Sequence, residues 1–300
     1  MKIDVGSFAV LSAAFSSVAA THLGFNYGAF FTDGNPRTQK DFEDEFNTAR
    51  GLANSPHDGF TSARLYTMVV RRHLSHPRRH RHQHLPPARI WCSAGDAGVT
   101  NELAALHAAI NTYGANFTAL VVGLSVGSED LYRNSATAKA NNETDPGLDP
   151  ATLVGYIHRV RASAGVRAAV DWLGMDAYSY WQREQANAVD QGKHLFDLAL
   201  NQTRAAAADA AGSAGGKKPV WITETGWPVS GEKQNEAVAS AENAKRFWDD
   251  NVWWYTLRDS SAKGTAQPSF GIVGADLAKG PLFDISCGGR VEEPEACDAM

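Results

Sequence analysis

Two glutamates in this 300-residue chain stand where carboxylates can do chemistry. Glu224 ends the apolar run Val220-Trp221-Ile222 and precedes a Gly226-Trp227-Pro228 turn. Earlier, Leu120-Val121-Val122 runs through Gly123-Leu124-Ser125-Val126-Gly127 to Glu129. Apolar runs of this kind read as strands buried on both faces, as in a parallel sheet. The C-terminal end of such a strand is the reactive rim of a (β/α)8 barrel. A single strand-end glutamate reads first as a rim ion pair. Two of them, each with aromatic or polar company, suit glycoside cleavage, in which one carboxyl protonates the leaving oxygen while the other attacks or activates water.

The elements that must position this pair alternate along the chain, which predicts a parallel sheet with helices outside. Strands are expected at 22–28, 60–67, 88–92, up to Glu129, at 170–178, up to Glu224 and at 252–257. Helices are expected between them. One carries Phe42 and Phe46 at i,i+4; one is capped by Thr100 with Leu103, Leu106 and Ile110 as its stripe. Another starts at Asp149-Pro150 with Leu153, Ile157 and Val160 inward, and a further one presents Leu195, Leu198 and Ala199. A last helix is expected around 235–249. Only seven strands emerge, one short of a closed eight.

Composition sets the class. The chain is 43% hydrophobic and 20% charged, with a formal charge of −5, which gives no footing for a nucleic-acid partner. No apolar run after the N-terminus is long enough to span a membrane. Residues 1–20 read as a secretory signal, with Lys2, a small apolar stretch and Val18-Ala19-Ala20 before the cut, although Asp4 is foreign to such a segment. One domain is expected over 21–290, followed by an acidic tail, 291–300, and the protein is expected to be a monomer. Three cysteines leave at least one thiol without an intramolecular partner; Cys287 and Cys297 are close enough in sequence to close a loop. Asn116, Asn142 and Asn201 head glycosylation tripeptides for a secreted chain.

Residues 71–89 are anomalous: six Arg, five His and three Pro with almost nothing apolar. Such a stretch cannot bury enough surface to fold by itself. It reads as an irregular insert; a polybasic arm and a metal site at His80, His82 and His84 are the other readings, and no metal or cofactor is expected. The Gly212–Lys218 stretch lacks the first glycine and the Ser/Thr of a phosphate loop and precedes its strand.

Six motifs, GFNYG (24–28), ARLYT (63–67), VGLSVGSEDLYR around Glu129, LGMDAY (173–178), ITETGWPVSG around Glu224 and WWYTL (253–257), resemble in order the fungal secreted glucan endo-1,3-β-glucosidases of glycoside hydrolase family 17. The resemblance runs from His22 to Cys287. It implies a (β/α)8 barrel that cleaves β-1,3-glucan of the cell wall with retention, with Glu129 as general acid/base and Glu224 as nucleophile. It brings no cofactor. Aromatics at strand ends, Tyr27, Tyr66, Tyr178, Tyr180 and Trp227, then suit a glucan groove. Arg64 suits a sugar or carboxylate contact, or a buried ion pair. Trp253 and Trp254 must point to opposite faces of their strand, and Trp254 is taken as the inward one. The chain departs from the family in three places. A strand–helix unit is absent between Ser163 and Arg167, as is a cysteine-bearing loop before Trp253, and the segment after Met68 departs as well; Ser128, where many relatives of the wider barrel clan have Asn, is what fungal members of the subgroup also carry. The barrel is therefore expected to be incomplete. A β-1,3-glucan transglycosylase and a non-catalytic glucan-binding remnant are the rival readings.

Overall fold

The computed structural model describes residues 24–31, 33–55, 59–69, 88–164, 172–211, 218–248, 254–258, 268–274, 277–278 and 280–286. The signal segment, most of the basic insert including His80, His82 and His84, Trp253, Cys287, Cys297 and the acidic tail lie outside them.

Six strands are defined: β1 (Gly24–Tyr27), β2 (Ser62–Leu65), β3 (Ala88–Ile90), β4 (Leu124–Val126), β5 (Leu173–Asp176) and β6 (Val220–Glu224). The helices are α1 (Gln39–Arg50), α2 (Gly95–Tyr113), the short turns α3 (Ala115–Thr118), α4 (Asp130–Arg133) and α5 (Ala136–Ala140), then α6 (Pro150–Ala164), α7 (Val189–Ala211) and α8 (Ala241–Trp248). β1 to β4 form one parallel sheet in chain order and β5 pairs in parallel with β6. Trp254 joins the two sheets, forming parallel bridges to Phe25 and to Thr225. The seven expected strand positions thus appear as six strands and one bridging residue. Among the described residues no ladder joins β4 to β5, and the sheet does not close. At this seam Trp172 packs directly on the backbone of Gly123, where a Cβ would come within 3.2 Å of the indole nitrogen.

Local chemistry explains the main helices. Thr38 and Asp41 form a reciprocal capping box at the start of α1, and Phe42 and Phe46 bury its inner face. Each such phenylalanine contributes about 2 kcal/mol by leaving water. Asp149 accepts the Thr152 N–H at 3.0 Å and caps α6 as its sequence predicts. Two apolar clusters result. The larger packs β1 and β2 against α1 and α8; the second packs Ile90 of β3 against α2 and α6. No helix among the described residues is long and apolar enough to cross a membrane.

Four expectations need correction. α2 begins at Gly95, before Thr100, whose hydroxyl instead bonds back to the Asp96 carbonyl. β4 ends at Val126, so Glu129 stands on the following turn and not at the strand end. Leu198 is exposed, because Phe196 takes the buried position beside Leu195. Trp254 packs into the core against Phe247, Trp248 and Phe283, since its backbone bridges put the next residue, Tyr255, toward the cleft.

Candidate active site

β6 delivers Glu224 to the centre of a cleft of about 1460 Å³. Its Oε1 accepts from Arg64 Nη1 at 2.5 Å, with Arg89 Nη1 at 3.6 Å. Its Oε2 accepts from the Tyr178 hydroxyl at 3.0 Å. Alternation along β1 and β2, in which Asn26 and Arg64 are register partners, places both side chains inward. Asn26 then accepts from Arg64 at 3.0 Å and donates to the Thr223 carbonyl at 3.1 Å, so β1, β2 and β6 are cross-linked beneath the carboxylate. Burial pulls the Glu224 carboxyl upward, but Arg64 and Arg89 outweigh it and hold the group below the usual glutamate range. Glu224 is thus an anion at ordinary pH. Tyr66 and Tyr178 are pushed well up by burial and by that anion, and both stay phenols.

Glu129 faces the same cleft from the turn after β4. Gly127 makes the turn possible: it has φ of +81°, and a Cβ there would lie 2.6 Å from Asp130 Oδ2. Glu129 itself is left-handed, at φ 51°, ψ 12°, a conformation that costs a non-glycine residue about 1 kcal/mol or more. A lock holds it there. Asp130 accepts the Ser128 N–H at 2.7 Å and the Ser93 hydroxyl at 2.5 Å; Arg133 donates to the Ser128 carbonyl at 2.6 Å and to Ser93 Oγ at 2.8 Å. The Glu129 carboxylate is 3.7 Å from Arg133, with 38% of its side chain open to the cleft. Desolvation by the cleft walls, then the negative charges of Glu224 and Asp176, push its pKa up to about 7 against the pull of Arg133 and Arg89.

A third carboxylate, Asp176 at the end of β5, completes the group. Thr223 donates to its Oδ1 at 2.6 Å and Ser128 to its Oδ2 at 3.3 Å. Burial and the Glu224 charge raise its pKa to about 6. Sequence reading passed over it because one Asp inside LGMDAY carries no signal of its own. Arg89 was missed for a different reason: it sits at the edge of the basic insert, yet it belongs to β3, and its guanidinium stacks 4.1 Å from the Tyr66 ring.

The structure brings Glu129, Glu224, Arg64, Tyr66 and Tyr178 to one cleft, and Arg64 is indeed in an ion pair, with Glu224. It does not bring Tyr27, Tyr180, Trp227 or Trp254 there; none lines the cleft and each is almost wholly buried. Tyr27 follows the inward Asn26, so it points outward and meets Phe46 edge-on at 4.9 Å. Tyr180 and Trp227 pack edge-to-face at 5.5 Å, the first reaching the Glu232 carbonyl and the second donating to the Val238 carbonyl. The aromatic lining comes instead from Trp91, Tyr132, Trp172, Trp181, Trp221 and Tyr255, besides Tyr66 and Tyr178. Trp172 and Trp221 stack at 4.6 Å with their planes 11° apart. Tyr255 was foreseeable as the alternate neighbour of Trp254. Cys92 is a buried thiol away from this chemistry, and its pKa is pushed up to about 12 by burial and by Asp130. Among the described residues no cluster of three or more His, Cys, Asp or Glu side chains could hold a metal ion.

Residues 24–265 match the BtgE/BtgC glycoside hydrolase domain. A protein of Emericella nidulans named "Probable glucan endo-1,3-beta-glucosidase eglC" is 44% identical over 92% of this chain and 65% of its own length. Its namesake in Aspergillus niger is 40% identical over 95% of this chain and 67% of its own. The chain thus spans about two thirds of the length of these relatives, 65% in the first. Among solved structures, the glycoside hydrolase family 17 β-1,3-glucanosyltransferase of Rhizomucor miehei aligns over 89% of this chain and 98% of its own, with a TM-score of 0.67 and 24% identity. An active-site mutant of that enzyme in complex with laminaritriose aligns with a TM-score of 0.68 and 23% identity. These two likenesses establish the fold alone.

Proposed function

Since the chain belongs to the BtgE/BtgC glycoside hydrolase domain family, we propose that it cleaves internal β-1,3-glucosidic bonds of cell-wall glucan with retention, with Glu224 as nucleophile and Glu129 as general acid/base. One observation carries the reading: two carboxyls facing one cleft are pushed in opposite directions, Glu224 below its ordinary range and Glu129 up to about 7. Divergent acidities of this kind are how one site runs acid and base chemistry together. The relatives' names, which specify 1,3-β-glucan, support the substrate class.

In the first step Glu129 donates its proton to the glycosidic oxygen while Glu224 attacks the anomeric carbon; the carbon–oxygen bond to the leaving sugar breaks as the ester to Glu224 forms. Forming the ester removes the Glu224 charge, which is one of the influences that raise Glu129. Glu129, left as an anion by the first step, takes a proton from water, the water oxygen attacks the anomeric carbon, and the carboxylate of Glu224 is released. Arg64, Arg89 and Tyr178 hold the nucleophile's two oxygens in place, and the aromatic lining offers flat faces to the sugar rings. Secretion, action at the cell wall and a monomeric state belong to the same reading. So does the interpretation of the β4–β5 seam as the position of the missing strand–helix unit, with the domain running over 21–290.

Reducing-sugar release from linear β-1,3-glucan, with Glu224→Gln as background, tests the proposal. Release above background supports hydrolysis; none identifies a non-catalytic member of the family. Transfer is the second reading, favoured by the glucanosyltransferase activity named for the solved protein of like fold. Products longer than the substrate would establish it.

A further inference from the structure

We propose that Asp176 is a positioning residue that ties the two reactive glutamates together across the open seam. The inference rests on the proposed roles of Glu129 and Glu224. Its basis is a connection neither strand ladder supplies. Asp176 accepts one hydrogen bond from the residue immediately before each glutamate: Ser128 Oγ reaches Oδ2 at 3.3 Å and Thr223 Oγ1 reaches Oδ1 at 2.6 Å. On the β6 side this adds to a backbone link, since Ala177 N–H donates to the Glu224 carbonyl at 2.9 Å. Toward β4 there is no ladder among the described residues, and the Ser128 hydroxyl is the hydrogen bond that crosses at the level of the chemistry. Ser128 is itself rigidly held by Asp130 and Arg133, so a pull on its hydroxyl is transmitted to Glu129.

This also accounts for the short residue before the acid. A serine hydroxyl in this position is spent on Asp176 and is not aimed at a sugar. The carboxylate faces Arg64 from β2, Arg89 from β3, Glu129 from the turn after β4, Tyr178 just beyond its own strand and Glu224 from β6. Its negative charge is among the influences that hold Glu129 high. Asp176 therefore acts on the acid in two ways, by holding Ser128 and by its charge.

The test combines a titration with a mutant cycle. The Glu129 carboxyl is titrated by 13C NMR in the wild type and in Asp176→Asn, and pH–rate profiles on linear β-1,3-glucan are measured for both and for Ser128→Ala and the double variant. In Asp176→Asn the Glu129 midpoint falls and the alkaline limb of kcat/KM moves down with it. The geometric role predicts a kcat loss of roughly 10- to 100-fold with KM nearly unchanged. Ser128→Ala reproduces part of that loss, and the double variant is no worse than Asp176→Asn alone, because one tie has been cut twice. An unchanged Glu129 midpoint, or losses that simply multiply, would overturn the inference. A wild type that releases no sugar while its Glu129 midpoint still responds to Asp176→Asn would reject the hydrolytic reading and leave the link to Asp176 standing.

Discussion

Two carboxylates in this molecule are each placed between two arginines, and they behave oppositely. Glu45 in α1 is fully buried, 2.8 Å from both Arg37 and Arg258. Burial nonetheless wins, and its pKa is raised. Glu224 is also buried, yet its pKa is lowered. The difference lies in what surrounds each pair. Aromatic rings flank the arginines of both, Phe31 at 5.1 and 5.2 Å from Arg37 and Arg258, and Tyr66 at 5.4 and 4.1 Å from Arg64 and Arg89, but Phe31 has no hydroxyl to offer its carboxylate whereas Tyr66 hydrogen-bonds Glu224. Glu224 has the Tyr178 hydroxyl on its second oxygen as well as Arg64 on its first, and one side opens to the cleft. An ion pair with every bond directed inward fastens an element of the fold. An ion pair that leaves an anion facing solvent-filled space keeps a reagent ready.

The sharpest way to break this contrast is Glu224→Gln. It is expected to lower kcat on β-1,3-glucan by roughly 10⁴-fold or more, while glucan binding measured by affinity electrophoresis persists. The fold should survive, because Asp176 still faces Arg64 and Arg89 and, without the Glu224 charge that raises its pKa, is more fully ionised beside them. Glu45→Gln should do the reverse. It strands two buried guanidinium groups, and their next carboxylate, Asp41, is engaged at the surface in the Thr38 cap. Breaking such a pair costs about 3–5 kcal/mol, read as a Tm lowered by on the order of 10 °C in a thermal melt, with kcat per folded molecule unchanged.

A smaller effect is expected from Tyr178→Phe. Removing a donor to the Glu224 anion disfavours its charged form, so the acid limb of the kcat/KM profile moves to higher pH. The loss at the optimum should be about tenfold, in keeping with one hydrogen bond to a charged group. The smallest effect is on stability. Glu129 has a folded pKa of about 7 against an ordinary value of 4.5. Its neutral form suits the fold, so its favourable contribution is complete below 4.5 and is lost as pH rises through 7. Glu129→Gln should therefore match the wild-type Tm near pH 4 and exceed it by a few degrees at pH 8; a difference that stays constant with pH would refute the environment assigned to this carboxyl.

Sequence carried the identity of both glutamates further than it carried their neighbours. β6 is a contiguous apolar run that ends in a carboxylate, so its direction and the carboxylate at its end are written locally. Arg64 was legible as a carboxylate or sugar contact or a buried ion pair, and it pairs with Glu224. Which aromatics face the cleft was not legible, because that depends on strand parity. Tyr27 and Trp254 point outward since Asn26 and Tyr255 occupy the inward phase, and only the ladder fixes that phase. The left-handed backbone of Glu129 was likewise hidden: it depends on Gly127, Asp130 and Arg133 acting together across a turn. The polar ties through Asp176 join residues far apart in the chain, and no spacing rule announces them.

The bridge made by Trp254 and the seam between β4 and β5 give the sheet one firm join and one loose one. Amide hydrogen exchange should reveal the difference directly. The Tyr255 N–H, bonded to the Thr225 carbonyl at 2.8 Å beside a fully buried indole, should exchange only when the whole domain opens. Among the described residues, amides of β4 and β5 that face the seam have no partner strand, and they should exchange through small, local openings. The wall carrying Glu129 would then breathe independently of the wall carrying Glu224, and the cleft's width would be set on one side by the backbone bridges of Trp254 and on the other by a few side chains.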